Sequence, residues 1–185
     1  VILNQIRAVM TSKKAGNAVV IIFLLMCVYF FGYRHVRFFR VPSSSMEPTL
    51  RPVDQLVTIA EREYRRGDIV VLRDPFEDGA YLVKRIVGVG GDTVGVLRGA
   101  LFINGEYASE PYLVAPPFYQ IDPPVSVPED HIFILGDNRN NSEDSHDRGE
   151  SFPESLIIGR VIFIYYPYDR WGTVASYPLV NRLGT

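Results

Sequence analysis

The fold turns on Tyr81–Val89, YLVKRIVGV. Nine residues, mostly aliphatic and β-branched, carry a lysine and an arginine side by side. Side chains alternate across a strand, so Leu82, Lys84 and Ile86 share one face, while Tyr81, Val83, Arg85 and Val87 share the other. Short runs of the same kind recur at QLVTIA, DIVVL, DTVGVL, ALFI, HIFIL and GRVIFIYYP, punctuated by GG, NG, RG and DP. Asn104-Gly105, inside LFINGEY, suits a type I′ hairpin turn. Tyr112 to Pro128 is proline-rich and reads as an irregular surface excursion. Outside one N-terminal apolar run, no long 3.6-residue periodicity exists. The expected fold is mostly β: an antiparallel, partly open barrel or sandwich.

The bulk numbers narrow the function. A net charge of -2 over 185 residues gives the molecule no electrostatic reason to bind nucleic acid. A single cysteine, Cys27, forbids an intrachain disulfide and a four-cysteine zinc site. With only His35, His131 and His146, neither a metal nor a cofactor is expected.

Ala18 to Tyr33, AVVIIFLLMCVYFFGY, carries no charge. Its 16 residues would span roughly 24 Å as a helix, and Val36, Phe38 and Phe39 extend it while flanking arginines snorkel. The residues that follow, RHVRFFR, do not resemble a cleavage site for a secretory leader. The organisation expected is a cytoplasmic segment over 1–17, a transmembrane anchor over 18–36 and an extracytoplasmic domain over 37–185. Arg7, Lys13 and Lys14 before the span balance Arg34, Arg37 and Arg40 after it, so charge does not orient it.

Lys84 admits two readings: an edge lysine that blunts strand pairing, or a desolvated amine used as a base. Pro42–Leu50, PSSSMEPTL, offers three serines, and a serine needs a base within hydrogen-bond reach to act as a nucleophile. The string Ser145-His146-Asp147 imitates a triad in print, but consecutive residues point in different directions and cannot form a relay. Phe133–Gly149, FILGDNRNNSEDSHDRG, follows an apolar strand with a dense polar loop. It is not a calcium loop, because Arg139 takes a ligand position and Ser142 replaces the required glycine.

Together these segments resemble the type I signal peptidases, membrane-anchored serine proteases with a Ser-Lys dyad. PSSSMEPTL is similar to that family's PS-x-SM-x-PTL box, VKRIVGVGGD to its lysine box, and GDNRNNSEDSH to its GDNR-x-NS-x-DSR box, in the same order. The resemblance implies Ser45 as nucleophile and Lys84 as general base. It implies Ser43 as an oxyanion-hole hydroxyl alongside the Ser45 N–H, and Ser142 as the residue that orients the lysine. Asp137, paired with Arg85, and Asp144 would support the site, while Val41, Met46, Leu50 and Val83 would line the substrate pocket. Ser44 receives no role. Many members have Arg where this chain has His146, which leaves open whether Arg148 or Arg139 takes up an ion pair with Asp144. Removal of signal peptides from exported preproteins at a bacterial-type cytoplasmic membrane would follow, with preproteins and the lipid bilayer as partners. A specialised Ser-Lys processing peptidase and a non-catalytic, membrane-tethered β domain are the alternatives.

Overall fold

The computed structural model describes residues 16–29, 36–177 and 179. The chain divides into two units, one ending at Val36 and the other beginning at Arg37. In the first, residues 16–27 are helical (α1), and the side chains of Val19 to Met26 are exposed. Among the described residues, no helix is long and apolar enough to cross a membrane. The remainder of the expected anchor, residues 30–35, lies outside the described residues.

The second unit is built from two antiparallel sheets. The larger has the order β1 (Arg37–Arg40), β2 (Gln55–Ile59), β11 (Ile157–Tyr166), β3 (Ile69–Arg73), β4 (Tyr81–Val89), β9 (His131–Leu135) and β10 (Phe152–Pro153). A short strand β12 (Gly172–Thr173) also pairs with β11. The smaller sheet runs β7 (Glu106–Ala108), β6 (Ala100–Ile103), β5 (Thr93–Leu97) and β8 (Ile121–Ser126). Every pairing is antiparallel, as the short alternating runs predict. Asn104 and Gly105 both take positive φ (55° and 80°), which is the geometry of a type I′ turn between β6 and β7.

β4 lies between β3 and β9, with Lys84 opposite Val70 and Arg85 opposite Leu135. The edge-lysine reading is therefore overturned: Lys84 sits mid-sheet and is 3% exposed. The alternation along β4 sorts its aliphatics as expected. Leu82 and Ile86 join Val70, Leu72, Ile132, Ile134 and Phe152. Val83 joins Val41, Met46, Leu50, Leu56 and Val71. Val87 belongs to a third cluster, shared with Val94, Val96, Leu101, Ile103, Phe133 and Leu135, which ties the large sheet to the small one.

Two stretches depart from the sequence expectation. Tyr112–Pro128 is not wholly irregular, because Ile121–Ser126 forms β8 against β5. Pro123 and Pro124 cannot donate to a ladder, and they sit on an edge strand at a register shift, the two places where a sheet tolerates proline. Arg37–Arg40 is strand β1 on β2; its charges and aromatics carry no alternation that would announce it.

Gly88 lets β4 approach the small sheet closely. A methyl there would meet Val94 Cγ2 at 2.6 Å and Phe133 Cβ at 3.4 Å. Gly88→Ala is expected to cost about 1–3 kcal/mol by overpacking, read as a lowered urea midpoint with an unchanged slope.

Candidate active site

PSSSMEPTL leaves β1 in extended backbone at Ser43 (φ -142°, ψ 171°) and then closes a 3-10 turn over Ser44–Met46. The turn is fixed from inside by its own apolar residues. Met46 and Leu50 are fully buried with Val41 and Val83, which places Ser45 beside β4. Ser45 Oγ lies 2.8 Å from Lys84 Nζ, and the two residues are 7% and 3% exposed. Ser43 Oγ stands 3.2 Å from Ser45 Oγ.

The Lys84 pKa is lowered from its ordinary 10.5, chiefly because burial disfavours an ammonium. The carboxylates of Asp144 and Glu143 oppose that shift, and Arg148 reinforces it. A buried amine beside a hydroxyl, biased towards its neutral form, is the arrangement by which a Ser-Lys pair makes a nucleophile.

The polar loop after β9 grips the serine turn through contacts the sequence gives no reason to assign. The Asn138 N–H donates to Ser45 O (2.9 Å), and its side-chain amide donates to Ser44 O (3.2 Å). Asn141 Nδ2 donates to Ser44 Oγ (3.1 Å), so Ser44 has a structural partner after all. A methyl on Gly136 would overlap both Ser142 and the Ser45 carbonyl, so this glycine lets the loop and the turn meet. The loop is itself tied down twice. Arg139 forms a two-pronged ion pair with Glu110 and donates to Gly136 O (3.1 Å). Asp137 accepts from Thr49 of the serine segment (2.5 Å) and from Arg85 through Nε (2.8 Å) and a second guanidinium nitrogen (2.7 Å).

The Arg85–Asp137 pair anticipated from the sequence is thus present and wholly buried, with Arg85 also donating to Gly67 O (2.7 Å) and lying 3.9 Å from the Tyr112 ring centroid. Ser142 differs from expectation. Its hydroxyl donates to Asp144 Oδ2 (2.6 Å), whereas the hydrogen-bond partner of Lys84 Nζ is Ser45. A short hydroxyl beside a buried carboxylate takes the stronger, charge-assisted bond. Neither Arg139 nor Arg148 pairs with Asp144. His146 does so itself, with Nδ1 at 2.6 Å from Oδ1. Ser145 Oγ accepts from the Ile134 N–H (3.0 Å) and is fully buried, while His146 Nδ1 pairs with Asp144 and not with Asp147, so the printed Ser-His-Asp string is no relay.

Of the four residues expected to line a pocket, Val83 lines an open groove of about 710 Å³, together with Phe39, Pro42, Val71, Asp74 and Leu82. Val41, Met46 and Leu50 are in the same apolar cluster as Val83 and Val71, packed out of solvent.

A family model described as signal peptidase, peptidase S26, matches residues 13–166. The chain is 38% identical over 152 residues to probable signal peptidase I-1 of Synechocystis sp., covering 76% of each chain. It is 42% identical over 148 residues to probable signal peptidase I-2 of the same organism, covering 74% of this chain and 66% of that one. It is 40% identical over 151 residues to signal peptidase I of Leptolyngbya laminosa, covering 75% and 72%. The chain belongs to the signal peptidase family, peptidase S26.

Two stability measurements follow from this geometry. Asp137→Ala strands the buried Arg85 guanidinium and is expected to lower unfolding free energy by about 3–5 kcal/mol. Lys84→Met is expected to raise stability. Unfolded lysine titrates near 10.5 and the folded one lower. Below the folded value the full cost of burying the ammonium is carried, and above 10.5 it vanishes. The advantage of the Met variant in urea unfolding should therefore be largest at low pH and close as pH approaches 10.5.

Proposed function

We propose that this chain is a membrane-bound serine endopeptidase that removes N-terminal signal peptides from exported preproteins, with Ser45 as nucleophile and Lys84 as general base. The observation that carries the reading is the buried 2.8 Å contact between Lys84 Nζ and Ser45 Oγ. Membership of the signal peptidase family supports the substrate class.

Ser45 Oγ attacks the scissile carbonyl as neutral Lys84 takes its proton. The Ser45 N–H and the Ser43 hydroxyl donate to the oxygen on which negative charge develops, and losing such a donor costs roughly 10²–10³-fold in rate. The Lys84 ammonium then protonates the departing amine. In the second half the neutral amine activates water against the acyl-serine. Val83 and the apolar groove beside it suit the small side chains that precede a signal-peptide cut, with Val41, Met46 and Leu50 giving that wall its firmness. Residues 18–36 act as a single membrane anchor in a bacterial-type cytoplasmic membrane, with 1–17 on the cytoplasmic side and 37–185 on the extracytoplasmic face. The uncharged run from Ala18 to Tyr33 supports this arrangement.

The test is cleavage of a peptide carrying an Ala-x-Ala site by the purified full chain in detergent. Ser45→Ala should abolish turnover, Lys84→Ala should lower it by roughly 10²–10⁴-fold, and Ser43→Ala by roughly 10²–10³-fold. Turnover should rise with pH as Lys84 loses its proton. Asp144→Asn removes a carboxylate that holds the proton on Lys84, so its acid limb should move to lower pH. Wild-type rates from Ser45→Ala and Lys84→Ala would refute the reading.

A further inference from the structure

The serine segment runs between two cavities. Before Ser45, Pro42 lines the apolar groove that also contains Val83. After Ser45, Glu47 and Pro48 line a second cleft of about 390 Å³, which shares no lining residue with the first. Arg51, Val114 and Ala115 line this cleft too, and residues 137–140 of the loop after β9 complete it. It opens close to the nucleophile. Glu47 is two residues from Ser45, so their Cα atoms are at most about 7.6 Å apart. The Asn138 N–H donates to Ser45 O (2.9 Å), which joins the cleft's loop to the serine backbone itself.

The cleft is built rather than incidental. Asn140 Oδ1 accepts from the Phe118 N–H (2.8 Å), and its Nδ2 donates to Pro116 O (3.0 Å). These two bonds pin the segment that carries Val114 and Ala115 to the loop after β9. Val114 nevertheless remains 80% exposed, an apolar side chain held at the cleft with little packed on it. The charges that line the cleft divide into two kinds. Asp137 and Arg139 are occupied, by Arg85 and Thr49 and by Glu110. Glu47 and Arg51 are different: among the described residues, neither side chain takes part in an ion pair.

A peptide laid across Ser45 with its residues before the cut in the apolar groove must leave by the other side. At about 3.3 Å per extended residue, the reach from Ser45 to Glu47 covers the first two or three residues after the cut. We propose that this cleft binds the first two or three residues of the mature protein, the part of the preprotein released by cleavage. Glu47 and Arg51 read the charge of those residues: Glu47 favours Lys or Arg there, and Arg51 favours Asp or Glu. Val114 and Ala115 give the peptide an apolar wall. The inference rests on the Ser45–Lys84 reading and adds a second determinant of substrate choice to the small side chains before the cut.

The experiment has two arms. In the first, kcat/KM is measured for Ala-x-Ala peptides that continue for one or for four residues past the cut. For the wild type, the longer neutral peptide should be better by about tenfold, the worth of one partly buried aliphatic side chain. Ala115→Trp, which fills the cleft, should remove most of that gain. Four-residue peptides with Lys or with Glu at the second and third places are then compared as a ratio, in which any general loss of activity cancels. Glu47→Lys should lower the Lys-to-Glu ratio by about three- to tenfold, and Arg51→Glu should raise it by as much. Both shifts should fade in 1 M salt, where the Debye length is about 3 Å. In the second arm, the Ser45→Ala full chain in detergent binds the same peptide carrying a nitroxide label, a readout that needs no turnover. A label on the third residue after the cut should broaden the amide signals of Asn138, Asn140 and Val114. A label on the third residue before it should broaden those of Leu82 and Val83. Charge ratios that stay at the wild-type value in both charge variants, or a label after the cut that leaves the cleft signals sharp, would overturn the inference. Failure of the dyad reading would show separately, as wild-type rates from Ser45→Ala and Lys84→Ala.

Discussion

Everything in the second unit converges on keeping one amine out of water. Lys84 occupies the middle of a central strand, and an ammonium there costs free energy that solvation would otherwise supply. A fold keeps such a group where the neutral amine is useful, and the neighbour that uses it is the Ser45 hydroxyl. The aliphatics around β4 provide the burial. The serine turn is then held in place by Met46 and Leu50 from below and by Asn138 and Asn141 from the side.

A second interaction, next to the first in sequence, fixes the frame. Arg85 points away from Lys84 by strand alternation and meets Asp137 at the start of the polar loop, while Thr49 meets the same carboxylate. One dipeptide thus reaches the serine with its lysine and holds the flanking loop with its arginine. Glu110 and Tyr119, from the segment between the small-sheet strands, add a tether at Arg139 and a cover over His146. That segment connects the small sheet to the chemistry, although none of its residues hydrogen-bonds to Ser45 or Lys84.

How much of this was legible in the sequence varies by residue. The strands of YLVKRIVGV, QLVTIA and HIFIL were readable because local alternation and turn residues encode them, and Asn104-Gly105 declared its turn because few other residues accept two positive φ values. β8 was hidden by Pro123 and Pro124, whose toleration depends on lying at an edge, a fact of topology. The Arg85–Asp137 pair was reachable only through the family resemblance, not from the residues themselves. The partners of Ser142, Ser44 and His146 were not, since a hydroxyl or imidazole chooses among donors and acceptors by distances of tenths of an ångström that only the assembled loop sets. Glu110 carried no signal at all, being one acidic residue in a proline-rich stretch.

The central claim is that Lys84 works as an uncharged base, and the amine itself can be asked. The full chain would be labelled with ¹³C at the lysine ε carbons, and the Lys84 resonance identified by its loss in Lys84→Met and followed against pH. The account predicts a midpoint below 10.5 that coincides with the acid limb of kcat/KM. A Lys84 resonance titrating at the ordinary lysine value, with cleavage already maximal while the amine is fully protonated, would contradict it.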